Sequence, residues 1–344
     1  MSKKNQHIAV MRLSAMGDVA MTVPVLRAFD KQYPQVKITV ISRPFFKPFF
    51  DDIPNVSFFA FDAKGKHKGF LGLLKLYKEL KPLHVDAFAD LHNVLRSKVI
   101  KRLFAFSGKP IAAVDKGRAE KKALLRPENK VFRQLPTMFE RHAQVFAALG
   151  FPIDLSHPVF PPTKTLDENT SKIAGSKSQN WIGIAPFAQY DSKVYPQDLM
   201  QKVIDGLSKS DVKIFLFGGG KQETETLEMF ANDKQNVIVV AGKLNFHEEL
   251  QLISNLDVML SMDSGNAHIA AMLGVKTVTL WGATHPFAGF APFHQPTANA
   301  LVSDREKFPK LPTSIYGNKV IEGYQDAMRT ILPETVIAKI NEVL

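Results

Sequence analysis

The sequence predicts an α/β chain folded as two successive Rossmann-like domains facing a central cleft. Three observations carry that reading. Short β-rich runs alternate with amphipathic stretches along most of the chain, the pattern of a parallel sheet covered by helices on both faces. The alternation breaks once, in a proline-rich and then polar stretch, and restarts. The length, 344 residues, suits two domains better than one.

The elements follow in order. His7 to Leu13 reads as a strand, Asp18 to Gln32 as a helix, and Val36 to Ser42 and Val56 to Phe61 as the next strands. Phe70 to Leu80 is helical, Val85 to Ala89 a strand, Val94 to Phe104 a helix, Ile111 to Val114 a strand and Met138 to Leu149 a helix. Pro152, Pro158, Pro161 and Pro162 then crowd one short segment, and Leu166 to Gln179 is polar, so this region reads as the linker. The pattern resumes with strand Trp181 to Ala185, helix Gln197 to Ser208, strand Val212 to Phe217, helix Gln222 to Phe230 and strand Val237 to Val240. Helix Phe246 to Ile253, strand Val258 to Ser261, helix Asn266 to Leu273 and strand Thr277 to Leu280 complete it. A last helix, Pro333 to Val343, opens with Pro-Glu in its first turn. The expected domains are residues 1–160 and 161–325, with 326–344 as a C-terminal helix packing back on the first domain.

Composition excludes several classes. Hydrophobic residues at 45% and charged residues at 22% are those of a globular chain, not a disordered or coiled-coil one. The absence of cysteine excludes disulfides, cysteine-ligated zinc, iron–sulfur clusters and a cysteine nucleophile. Met1 to His7 is polar and Arg12 interrupts the apolar run after it, so no signal peptide is read and a cytoplasmic location is expected. The uncharged stretch Thr277 to Ser303 contains Pro286, Pro292 and Pro296 and is not a spanning helix. A net charge of +11 favours an anionic partner, and Arg96 to Arg133 alone carries +9 of it. That stretch reads either as a surface for a phosphorylated ligand or as a solvated basic helix face.

Three loops follow predicted strand ends, where ligands bind in open α/β sheets. Ser14-Ala15-Met16-Gly17-Asp18-Val19 places Asp18 at a helix start, as a cap or as a functional carboxylate. Ala185 to Pro196 contains Lys193, a flexible point charge suited to a phosphate oxygen or an ordinary surface lysine. Ser261 to His268 offers small residues at a helix N-terminus, where backbone N–H groups and the helix dipole attract anions; Asp263 and Ser264 read equally as caps. There is no G-x-G-x-x-G fingerprint at the first loop, no Asp-x-Asp, and Gly218-Gly219-Gly220-Lys221 is followed by Gln222, not the Ser or Thr of a phosphate-binding P-loop.

Taken in order, these segments resemble glycosyltransferase family 9, the lipopolysaccharide heptosyltransferase family, over nearly the whole chain. The resemblance rests on Arg12 to Val19 with Pro24, and on Asp90-Leu91-His92-Asn93 with Leu95-Arg96-Ser97. It rests also on Lys193 with Tyr195-Pro196, on Asp263 to Ala271 with Leu273-Gly274, and on Val278 to Thr284. It implies a GT-B fold and an inverting, metal-independent transfer of a sugar, typically heptose from ADP-heptose, to a lipopolysaccharide inner-core or lipid A acceptor. By position, Asp18 falls on the family's catalytic base and Lys193 on its phosphate-binding lysine. Asp263, Ser264, Gly265 and His268 fall on the donor diphosphate loop, and Leu244 near the adenine. Ser14, Gly17, Asp90, His92, Asn93 and Arg96 fall on the acceptor side. Tyr195 stands where the family commonly has Trp, and Ala283 where it has Pro. The ribose-binding acid has no clear counterpart; Gly220 lands closest, with Glu223 nearby.

The implied partners are a nucleotide-diphospho-sugar donor and an anionic glycolipid acceptor, with peripheral contact at the cytoplasmic face of the inner membrane. No cofactor or metal is expected, no nucleic acid, and a monomer. The alternatives are another nucleotide-sugar enzyme of the same double fold, such as an epimerase, and a non-catalytic nucleic-acid-binding protein.

Overall fold

Five parallel strands build the first part of the chain in the computed structural model, which describes residues 6–319 and 321–344. They alternate with helices: β1 (His7–Met11), α1 (Met16–Ala20), α2 (Val23–Gln32), β2 (Lys37–Ser42), β3 (Val56–Ala60), α3 (Gly69–Leu80), β4 (Ala87–Asp90), α4 (Leu95–Phe106) and β5 (Ile111–Ala113). The sheet order is β3-β2-β1-β4-β5, with Ile8 aligned with Ile38 on one side and Ala87 on the other. Strand β1 is covered on both faces, which is why Ile8 to Met11 is one apolar run and not an alternating pattern. Leu73, Leu76 and Leu80 of α3 share a helical stripe and pack on Met11, Phe88, Ile100 and Phe104. The Phe29 ring of α2 lies 5.0 Å from that of Phe146, in α6 (Met138–Ala148).

The helix expected over Asp18 to Gln32 is two. Pro24 has no N–H to give the ladder and sits in the first turn of α2, so the chain stops at α1 and restarts.

The chain divides into two units, Met1–Gly117 with Met138–Phe160 and Arg118–Thr137 with Pro161–Leu344. The segment Arg118–Thr137, which contains α5 (Arg118–Leu124), belongs to the second unit and not to a continuous first domain of residues 1–160. Its Leu124 and Leu135 pack with Ala288 and Ile315. The Leu135 N–H donates to the Phe287 carbonyl at 2.9 Å. Lys130 Nζ donates to the carbonyls of Leu124, Lys310 and Pro312 at 3.1, 2.9 and 3.0 Å, and burial pulls its ammonium down to about 8. Arg305 stacks 3.4 Å over the Phe132 ring, and Lys121 sits 4.2 Å over Phe290. The basic stretch Arg96 to Arg133 is therefore not one helix face: it is shared between α4 in one unit and this arm in the other, and Lys121 is buried.

The second unit continues with α7 (Glu168–Ala174), β6 (Asn180–Ala185), α8 (Gln197–Leu207), β7 (Val212–Leu216), α9 (Gly220–Ala231), β8 (Val237–Val239) and α10 (Phe246–Ser254). It closes with β9 (Val258–Met262), α11 (Gly265–Met272), β10 (Lys276–Trp281), β11 (Ala300–Val302) and α12 (Pro333–Val343). Its sheet is parallel in the order β11-β10-β9-β6-β7-β8. The polar stretch after Leu166 is not a bare linker. Asp167 accepts from the Thr170 N–H at 2.9 Å and caps α7, whose Thr170 and Ala174 are buried.

Helix α12 packs on α8 of its own unit. Val336 and Ile340 join Met200, Val203, Ile204 and Leu207 in one core, and Gly206 carries no Cβ where Ile337 approaches. The buried apolar residues of this helix, Val336 and Ile340, are thus part of the second unit's core. Among the described residues, no helix is long and apolar enough to cross a membrane.

Candidate active site

Strand order tells where each sheet opens. In the first unit β2 and β3 lie on one side of β1, and β4 and β5 on the other. Successive loops therefore depart in opposite directions at the β1/β4 boundary and leave a crevice at the carboxyl edge. The second unit has the same reversal at β6/β9. The predicted site residues other than Leu244 lie on or next to the loops at these two places.

At the first crevice the loop after β1 brings Arg12 and Asp18 together. Arg12 Nη2 lies 2.6 Å from Asp18 Oδ2, and Asp18 Oδ2 also accepts from the Ala15 N–H at 3.1 Å. Asp18 is thus the third residue of α1, reaching back over the first turn, and not the cap itself. The guanidinium is nearly buried and held by two carbonyls, Ser14 at 2.9 Å through Nε and Leu91 at 2.8 Å through Nη1. Arg12 is the residue that sequence reasoning left without a role. The signal was present: a buried strand end that carries a charge needs a counter-charge close by.

The loop after β4 supplies the other wall. Asp90 is wholly buried, and its Oδ1 accepts from the N–H groups of His92 at 3.0 Å and Asn93 at 2.7 Å, while its Oδ2 accepts from Ser97 Oγ at 2.9 Å. Asp90, expected on the acceptor side, exposes no surface here and shapes the loop that carries His92 and Asn93. Asn93 occupies the left-handed region at φ 47° and its side-chain amide donates to the Val114 carbonyl at 2.8 Å. His92 Nδ1 takes a long bond, 3.4 Å, from the Leu13 N–H. Burial first, and the charge on Arg12 second, push the His92 imidazole down to about 3, so it is neutral. Ser14 and Gly17 are half-buried on the β1 loop, and Arg96 is exposed on the first turn of α4.

At the second crevice Lys193 Nζ lies 3.0 Å from Asp263 Oδ2, with both side chains largely buried. Lys193 closes a 3₁₀ turn after β6 and Asp263 follows β9, so neighbouring strands deliver the pair. The turn is tied down twice: the Ala283 N–H donates to the Ser192 carbonyl at 3.0 Å, and Ser192 Oγ donates to the Gly317 carbonyl at 2.6 Å. A proline at position 283 would have no N–H to make the first of these bonds. Ser264 precedes α11, with its Oγ 3.0 Å from Ser261 Oγ, and Gly265 is the first helical residue. His268 is buried one turn further along. Leu244 lies apart, a buried side chain with exposed neighbours in the turn after β8, two strands from β6. Glu223, in the first turn of α9, accepts from the Gly219 N–H at 2.7 Å. Tyr195 is core: its hydroxyl donates to the Ile331 carbonyl at 2.5 Å, and burial raises its phenol.

A fixed ammonium, a helix N-terminus and small residues between them make a seat for a phosphorylated group. The family model of glycosyltransferase family 9 (heptosyltransferase) matches residues 73–319. The chain belongs to that family. This heptosyltransferase-family chain is 26% identical to the lipopolysaccharide core heptosyltransferase of Haemophilus influenzae over 290 residues, covering 81% of this chain and 80% of that protein. It is 24% identical to lipopolysaccharide heptosyltransferase 2 of Escherichia coli over 358 residues, 98% of each. Among solved structures, a family 9 glycosyltransferase of Veillonella parvula superposes with a TM-score of 0.75 at 20% identity, over 100% of this chain and 98% of that one. An Escherichia coli heptosyltransferase solved with ADP gives 0.67 at 18% identity, over 98% of this chain and 100% of that one. The protein is a glycosyltransferase of GT-B fold with two Rossmann-like domains.

Proposed function

We propose that this family 9 glycosyltransferase transfers heptose from ADP-heptose to the inner core or lipid A region of lipopolysaccharide, with inversion and without a metal. The relatives named above support the sugar and the acceptor class. The observation that carries the chemistry is the Lys193–Asp263 pair at the β6/β9 crevice beside the start of α11. A departing nucleoside diphosphate gains negative charge as the glycosidic bond breaks. Lys193 and the N–H groups at the start of α11 neutralise it, the task a metal performs elsewhere. Asp18 takes the proton of the acceptor hydroxyl, oriented by Arg12. His92, Asn93, Ser14, Gly17 and Arg96 form the acceptor side, with Asp90 as the residue that positions their loop. Leu244 packs on the base of the donor. The enzyme acts as a monomer, from the cytoplasm, on a lipid-anchored substrate at the inner membrane.

The test is transfer itself. The protein is incubated with ADP-heptose and lipid A bearing inner-core carboxylate sugars, with and without chelator, and the product is read by mass spectrometry and anomeric NMR. One added heptose of inverted configuration, insensitive to chelator, is expected. Lys193→Ala should lose about 2–4 kcal/mol of transition-state stabilisation. Turnover of that variant near the wild-type rate would remove Lys193 from the mechanism.

A further inference from the structure

The first unit carries an exposed apolar and basic rim of which the proposed transfer chemistry uses only Arg96. Phe70 and Leu71, in the first turn of α3, are 63% and 79% exposed, and Leu95, first residue of α4, is 80% exposed. Phe45, after β2, is 55% exposed. These side chains share one edge. Helices α3 and α4 pack against each other, and each starts past the carboxyl end of its strand and runs back along the same parallel sheet. Their first turns therefore lie side by side. The loop after β2 adjoins the loop after β3 because those strands are paired. Phe106, also exposed, lies at the opposite end of α4 and is not part of this rim.

Charge surrounds the apolar tips. Arg43, Lys47, Lys64, Lys66, Lys68 and Arg96 are all exposed. The segments 43–49, 63–71 and 93–98 contain no Asp or Glu. Lys47 leans on Asp51 at 3.3 Å and Lys66 on Glu79 at 2.9 Å; Arg43, Lys64, Lys68 and Arg96 make no ion pair among the described residues. Asp62, next to the lysines, is turned into its own loop, where it accepts from the N–H groups of Gly65 and Lys66. Apolar tips separated by uncompensated lysines do not match the charge-depleted core of a protein interface. They match the acyl boundary and anionic headgroups of a lipid bilayer.

We infer that the carboxyl-edge rim formed by Phe45, Phe70, Leu71 and Leu95 with its surrounding lysines and arginines docks this unit on an anionic membrane surface. The same edge carries the Arg12–Asp18 crevice, because β1 and β4 end there too. Docking would hold the acceptor loop at the lipid surface; the consequence for turnover rests on the proposed lipid-anchored acceptor, and the docking itself does not.

The experiment is flotation of the full chain with phosphatidylcholine vesicles, with and without phosphatidylglycerol. Binding is expected only where phosphatidylglycerol is present, and it should fall steeply with salt. Phe70→Ser with Leu71→Ser should lower the partition about tenfold at an unchanged melting temperature. Lys64→Gln with Lys68→Gln should weaken it and flatten the salt dependence. No binding by the wild-type chain, or equal binding by the Phe70/Leu71 variant, overturns the proposal. So does a wild-type dimer in sedimentation that the same variant dissolves, because the rim would then be a protein interface. The two proposals fail separately. Transfer to a deacylated, water-soluble acceptor should be the same in wild type and the Phe70/Leu71 variant, while transfer to vesicle-embedded acceptor should drop in the variant. Vesicle binding without any transfer would sink the heptose reading and leave the docking intact.

Discussion

Asp18 carries two loads, and they can be separated. It accepts from the Ala15 N–H and it balances Arg12, whose guanidinium is nearly out of solvent. Asn in its place keeps an acceptor for the N–H but leaves Arg12 without a counter-charge. Asp18→Asn should therefore cost stability, about 1–3 kcal/mol, in contrast to the near-neutral outcome a simple helix cap would give. As the base, it should also lose turnover on the order of 10²–10⁴-fold with donor affinity kept. Turnover has to be measured well below the lowered melting temperature, with ADP affinity taken by calorimetry on the same sample. Full activity in a folded Asp18→Asn protein would end the base assignment. Position explains why the sequence left Asp18 between cap and carboxylate: a helix-start Asp looks the same in both roles until its neighbour Arg12 is seen bonded to it.

At the scale of elements, the loop from Asp90 to Ser97 is a closed hydrogen-bonded unit around one carboxylate. Asp90→Ala would leave the N–H groups of His92 and Asn93 without their acceptor, while Ser97 Oγ would keep the Val94 carbonyl at 3.0 Å, and the change should cost about 2–4 kcal/mol in urea unfolding. Asp90→Asn should cost clearly less. Equal stability of the Ala variant would show that the loop does not depend on that carboxylate. Strands and long helices were legible because burial on two faces writes an unbroken apolar run and a helix writes a stripe, as in Ile8 to Met11 and in Leu73, Leu76 and Leu80. Helix α7 was not, since only Thr170 and Ala174 of its seven residues are buried and too few turns exist to show a period. The loops at the two crevices were legible as places. The pairings Arg12–Asp18 and Lys193–Asp263 were not: the first depends on how the loop after β1 turns back on itself, the second on strand order, and spacing along the chain encodes neither.

The whole molecule responds to pH through groups buried in their neutral forms. Burial is the first cause in each case: His92 and His142 are pushed down to about 3 and His285 to about 4. Between those values and the ordinary 6.5 the unfolded chain binds protons that the folded chain refuses, so stability falls as pH drops below about 6.5. Glu249 has the opposite sign. Burial raises it to about 7, so the folded chain holds a proton that the unfolded chain releases, and its contribution is lost as pH rises from about 4.5 through 7. Three histidines outweigh one glutamate, and denaturant midpoints should be lower at pH 5 than at pH 7.5. Glu249→Gln should raise the unfolding free energy at pH 8, by at most about 3 kcal/mol, and change little at pH 5. Equal midpoints at pH 5 and 7.5 in the wild type would contradict the burial of neutral imidazoles.

The arm Arg118–Thr137 has a consequence for the chain as it is being made. Leu124 and Leu135 leave the ribosome before their partners Ala288 and Ile315 exist. The delay is about 150–190 residues, on the order of 8–40 s at a synthesis rate of ~5–20 residues per second. Within that interval Met138–Phe160 emerges and can complete the first unit, while Leu124 and Leu135 of the arm wait without the partners that cover them. A fragment ending at Phe160 freezes that stage permanently. It should fold its five-stranded sheet yet aggregate, and Leu124→Ser with Leu135→Ser should restore a monodisperse peak in size-exclusion chromatography. During synthesis, the vulnerable moment for this enzyme is the wait of its arm, after its first sheet has closed and before its second one has.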